Sequence, residues 1–167
     1  HYPAVALRVI ADMHKLTDKP VRYLAITHWH MDHYMANSQF ADAFPGLTII
    51  AQNFTAPMMD KYGGRYVNYG AKIEDNLKPL REMLASGKAP DGAPIAPDRR
   101  ARIEKAIGEV EAAKPEFALM RYRGADLTFE NEIDVDLGNR VVRLMHLGRG
   151  NTAGDLFAYV PDAKVLI

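Results

Sequence analysis

The chain contains no cysteine. That excludes disulfides, thiolate metal ligands and a cysteine nucleophile, so any metal must rest on His, Asp, Glu or weaker oxygen donors. The absence fits cytoplasm and periplasm equally well. No apolar run approaches the roughly 20 residues that cross a bilayer. Charge of one sign is also missing: 21 Lys and Arg balance 21 Asp and Glu. A neutral chain offers no bulk field to nucleic acid or to an anionic membrane, so neither is expected as a partner. There is no internal repeat, no low-complexity tract and no visible signal peptide, although the sequence opens on His1 and not on Met. What remains is a soluble chain of 167 residues, one domain in size, with the 48% apolar and 25% charged content of ordinary globular proteins.

The dense feature is His28-Trp29-His30-Met31-Asp32-His33, which packs three of the six histidines into six residues. The β-rich run Val21–Thr27 leads directly into it. In an extended segment residues i and i+2 point to one side, so His28 and His30 can reach a single ion. Asp32 and His33 follow where the strand turns into a helix, and can face a second ion a few ångströms away. Imidazole with carboxylate suits zinc, with iron or manganese as alternatives. Two such ions about 3.5–4 Å apart can share a hydroxide and stabilise a leaving group. The end of a strand is also where α/β sheets bind ligands.

Around this motif the pattern alternates helix and strand. Helices are expected over 4–16 and 33–43, and a second strand over 47–51. A short helix capped by Asn53 or Thr55 should end near Tyr62, because Tyr62-Gly63-Gly64 and Asn68-Tyr69-Gly70 read as irregular. Two helices follow, at 75–86 and 98–113, separated by a Pro/Gly-rich loop. They read as an insertion at about 75–113 lying over the site, too short to hold a core of its own. Strands at 127–129, 133–137, 140–146 and 156–160, and a last hairpin to Ile167, bracket the glycine-rich loop Gly148–Asp155. That loop lacks the Lys-Ser/Thr ending of a phosphate-binding P-loop.

With these residues in view, the sequence resembles the metallo-β-lactamase superfamily. The resemblance rests on His-x-His-x-Asp-His at 28–33 with Thr27 before it, and on the late block Leu147–Ile167, which is similar to the family's G-x-G-H-T-x-G-D loop and the hairpin behind it. It implies an α/β fold, an αββα sandwich. It also implies a hydrolase in which metal-bound hydroxide attacks an ester, thioester or lactam-type bond of a small-molecule substrate. His28 and His30 would hold a first zinc ion, Asp32 and His33 would belong to a second, and Asp32 could also accept the proton of the attacking water.

The chain departs from the family pattern at Asn151, which stands where the family has the loop histidine. An amide offers one neutral carbonyl oxygen. His146, five residues upstream, is either a substitute donor or a partly buried strand histidine. Asp155 is expected to brace the loop. Trp29 either lines the substrate pocket or packs on the sheet. Arg99, Arg100, Arg102 and Lys105 share their helix with Glu104, Glu109 and Glu111, and read as a solvated, ion-paired face. The family also has strands before the point matched by His1, and an Asp and a last His beyond Ile167, so the sequence reads as the middle of such a domain, incomplete at both ends. The alternative to a hydrolase is a degenerate, non-catalytic metal-binding member.

Overall fold

The computed structural model describes residues 2–167. Two compact units divide them: the chain up to Gly64 together with Arg121–Ile167, and Arg65–Met120 between.

The first unit opens with α1 (Pro3–Leu16), where Pro3 starts the helix and Ala6 and Ile10 are buried one turn apart on its inner face. Next come β1 (Tyr23–Ile26), α2 (Met31–Tyr34), α3 (Asn37–Ala43) and β2 (Thr48–Gln52). The single helix expected over 33–43 is therefore two, broken at Met35-Ala36. Both residues are fully buried there, so packing sets the bend. β1, β2 and β3 (Leu127–Phe129) form a parallel sheet with β2 in the centre. A central parallel strand is covered on both faces, which explains the unbroken apolar run at its heart: Ile49, Ile50 and Ala51 are fully buried.

β4 (Glu132–Asp136), β5 (Val141–Met145), β6 (Phe157–Val160) and β7 (Val165–Leu166) make an antiparallel meander. Val135 lies opposite Val142, and Asp134 lies opposite Arg143, which grips its carboxylate with two N–H groups at 2.7 and 2.9 Å. The two sheets meet through Ile50 and Phe129 on one side and Val135 and Leu144 on the other, with Leu156 closing the cluster. Burying such side chains contributes about 1.5–3 kcal/mol each.

α4 (Thr55–Ala71) begins in the first unit and ends in the second. It runs unbroken through both glycine-containing stretches that the sequence marked as irregular, 62–64 and 68–70. Gly63 is a packing residue, not a breaker: the ring of Tyr122 lies where its side chain would be. The second unit holds the rest, α5 (Ile73–Ser86) and α6 (Pro97–Leu119). α6 passes through Pro115 and ends six residues beyond the expected 113, since a proline can sit in a helix at the cost of one hydrogen bond. Arg81 bridges the two helices, donating to Glu74 and to Glu111 at 2.9 and 2.5 Å. Three basic residues of α6 are paired along their own helix, Arg100 with Glu104, Arg102 with Asp98 and Lys105 with Glu109, as an exposed solvated face, whereas Lys114 pairs with Glu74 of α5. Among the described residues, no helix is long and apolar enough to cross a membrane.

Candidate metal centre

β1 ends at Ile26, and the next four residues are extended or bent before α2 begins at Met31. This places His28 and His30 on one side, as period-two geometry requires. Nε2 of His28 and Nδ1 of His30 lie 3.2 Å apart. The third atom at this point comes from 121 residues further along the chain: Nδ2 of Asn151 is 3.1 Å from His28 Nε2 and 3.2 Å from His30 Nδ1. The three form a nearly equilateral triangle. Ligands held at about 2.0–2.1 Å by a tetrahedral ion stand roughly 3.3–3.4 Å apart, so the spacing fits one face of such a site. The donor chemistry fits only in part, because Nδ2 has no lone pair to give and Asn151 ligates only through its carbonyl oxygen. Accordingly, among the described residues no group of three or more His, Cys, Asp or Glu is placed to hold an ion.

Asp32 and His33 lie on the other flank of His28, whose ring centroid is 3.9 Å from that of His33. His33 Nε2 faces Asp32 Oδ2 at 3.5 Å. Thr27 links the groups: its hydroxyl is 3.1 Å from His28 Nδ1 and 3.2 Å from His33 Nδ1. One set of neutral tautomers satisfies the contacts of Thr27, Asp32 and Asn151 and leaves the His28–His30 nitrogen pair without a proton between them. His28 Nδ1–H donates to Thr27, whose hydroxyl donates to His33 Nδ1, and the proton on His33 Nε2 faces Asp32. The nitrogens His28 Nε2 and His30 Nδ1 are then both lone pairs, and each accepts one N–H of Asn151. The reverse assignment turns a His33 lone pair onto the Asp32 carboxylate and an Asn151 N–H onto a His28 N–H. Burial pushes the His28 pKa down, and the neighbouring His33 and His30 push the same way against Asp155 and Asp32. A neutral ring with a free lone pair is thus favoured.

The loop that presents Asn151 is tied at several points. Asp155 Oδ2 accepts from the Asn151 backbone N–H at 2.6 Å, and its Oδ1 accepts from the N–H and hydroxyl of Thr152 at 2.8 and 2.6 Å. Burial raises the Asp155 pKa, but these bonds outweigh it and hold the carboxyl below its usual range. The backbone N–H of Leu156 donates to the Thr27 carbonyl at 2.9 Å, joining the loop to the strand end that carries the histidines. Thr55 donates to the Gly154 carbonyl at 2.8 Å, and a side chain at Gly154 would meet Thr55 Oγ1 at 2.6 Å. His146 belongs to this scaffold: its Nδ1 contacts the Asp155 carbonyl at 2.8 Å, and it is half-buried at the end of β5.

Trp29 stacks on Tyr62, centroids 5.1 Å apart and planes 15° apart, and meets the edge of His30 at 5.0 Å. It forms a wall beside the centre. Thr27 and Tyr62 carry roles that no reading of the residues alone assigned. Thr27 looks like an ordinary β-branched strand residue, and Tyr62 looks like a core position of a short helix.

The metallo-β-lactamase superfamily model matches residues 8–167. The chain belongs to the metallo-β-lactamase superfamily. Its members are mostly hydrolases and typically bind metal ions. Among solved structures, a metallo-β-lactamase from Pontibacter korlensis matches with a TM-score of 0.50 at 14% identity, covering 95% of this chain and 46% of its own. The likeness is one of fold, and this chain spans less than half the length of that protein. No curated protein matches the sequence. The mixed α/β superfamily fold expected from the His-x-His-x-Asp-His stretch is the one observed.

Proposed function

We propose that this chain carries the first metal site of a metal-dependent hydrolase, with zinc as the ion, acting on an ester, thioester or lactam-type bond of a small molecule. The observation that supports it most is the convergence of His28 Nε2, His30 Nδ1 and the Asn151 amide at 3.1–3.2 Å. In this reading His28 and His30 hold the ion and Asn151 turns its carbonyl oxygen towards it. When bound, the ion supplies water acidic enough to attack near neutral pH, and it polarises the substrate carbonyl.

The remaining roles belong to the chain itself. Thr27 fixes the tautomers of His28 and His33 through one hydroxyl. Asp32 accepts the proton released by the attacking water, and His33 orients that carboxylate; the same pair is the place for a second ion. Trp29 and Tyr62 bound the substrate on the His30 side and keep water out. Iron or manganese would serve the same donors.

The test is metal content per chain after exchange into zinc-replete buffer, with His30→Ala as control, followed by hydrolysis of ester, thioester and lactam panels. One bound ion that is lost in the variant, together with turnover, supports the reading. No bound ion sinks it. A second reading, a non-catalytic metal-binding member, draws on the amide at the third corner; a bound ion without turnover on any panel favours it.

A further inference from the structure

We propose that Asn151 sets the affinity of this centre by competing with the cation for the same two lone pairs. The proposal rests on the metal-site reading above and adds a specific role for the one residue at the centre that is not an imidazole.

Nδ2 of Asn151 carries two hydrogens, and both acceptors within its reach are the imidazole nitrogens that face each other. With the tautomers assigned above, the two lone pairs that face each other 3.2 Å apart repel, and positive charge between them relieves that repulsion. The amide N–H groups supply part of that charge. A divalent cation supplies more, but its arrival breaks both hydrogen bonds and brings the ion against an N–H dipole. The amide must then turn by half a rotation about Cβ–Cγ, so that Oδ1 replaces Nδ2. No backbone movement is needed, and none is available, because Asp155 holds the Asn151 and Thr152 N–H groups from below. The rotating amide leaves two neutral imidazoles and one neutral oxygen as donors. That set is weaker and less zinc-selective than one with a third imidazole or a carboxylate. Neither of those competes for the lone pairs in the same way: a carboxylate has no N–H at all, and an imidazole turns a lone pair inwards when its other nitrogen carries the proton.

The experiment is calorimetric titration of the folded chain with Zn2+, and separately with Co2+ followed by visible absorbance, for wild type, Asn151→Asp and Asn151→His. Circular dichroism reports that each variant is folded. Both variants are expected to bind Zn2+ at least about tenfold more tightly than wild type, the scale on which partners of a metal centre alter its affinity. In wild type, the side-chain NH2 resonances of Asn151 are expected to shift on adding Zn2+. Unchanged affinity in both folded variants, or Zn2+ binding that leaves the Asn151 amide resonances in place, overturns the role of Asn151 and leaves the metal site standing. If wild type and both variants bind no ion, the metal reading falls and takes this inference with it.

Discussion

A single methyl group separates two neighbouring positions of α4. A Cβ at Gly63 would fall inside the Tyr122 ring, whereas one at Gly64 has nothing within 4 Å. Gly63→Ala must push out Tyr122, whose hydroxyl donates to Asp60 and whose burial raises its pKa well above the ordinary phenol range. It is expected to cost about 1–3 kcal/mol in urea denaturation, the usual cost of overpacking. Gly64→Ala, exposed and helical, is expected to be neutral or to stabilise by up to about 1 kcal/mol. A smaller loss at Gly63 than at Gly64 would refute the packing role. The sequence marked both glycines as helix breakers, because it shows a glycine but not the ring that needs its space. By contrast, the cluster at 28–33 was readable without a structure: period-two geometry alone puts His28 and His30 on one side, and the structure does so. The Thr27 bridge was hidden, since it depends on which way a single hydroxyl points.

At the scale of an element, the loop 148–155 works as a unit because one carboxylate closes it. Asp155→Asn keeps one acceptor oxygen but sets an NH2 group against backbone N–H donors, and is expected to destabilise by about 1–3 kcal/mol. The pH dependence follows from signs. The folded pKa of Asp155 is depressed, as is that of Asp126, where burial pushes up but the Ile49 N–H and Arg123 push down harder. Their stabilisation is present above about pH 4 and is lost as pH falls through the folded values. His28 acts earlier: its folded pKa is lowered, so the unfolded chain takes the proton first and stability declines as pH drops below about 6.5. Urea midpoints in metal-free buffer from pH 8 to pH 3 should therefore fall in two stages, and His28→Gln should remove the upper one. A midpoint flat from pH 7 to pH 5 in wild type contradicts this. Most strands were legible as alternating or apolar runs, but the α2–α3 break was not. It follows from burying Met35 and Ala36 against the rest of the unit, and a single helical period gives no sign of that.

For the whole molecule, burial is unevenly shared. β2 holds three fully buried residues in a row, whereas Ile107 is the buried residue of the 23-residue α6. Amide exchange should reflect this. Ile49–Ala51 are expected to open only with global unfolding, and α6 by local fluctuation, with protection factors lower by on the order of a hundredfold. Equal protection would mean that α6 is held by far more than its own ion pairs, which are exposed and contribute little. The separation between the two parts of the candidate centre was also beyond a local reading: nothing near Asn151 in the chain says which strand end it meets.

That separation has a consequence for how the protein is made. His28 and Asn151 are 123 positions apart. At roughly 5–20 residues per second, a ribosome needs about 6–25 s to go from one to the other. Once residues 28–33 have left the ribosome, the nascent chain carries His28, His30 and His33 while the amide that closes the triangle has yet to be synthesised. If the centre takes a cation as proposed above, an ion met during translation would reach the imidazoles before the Asn151 amide that is proposed to compete for them.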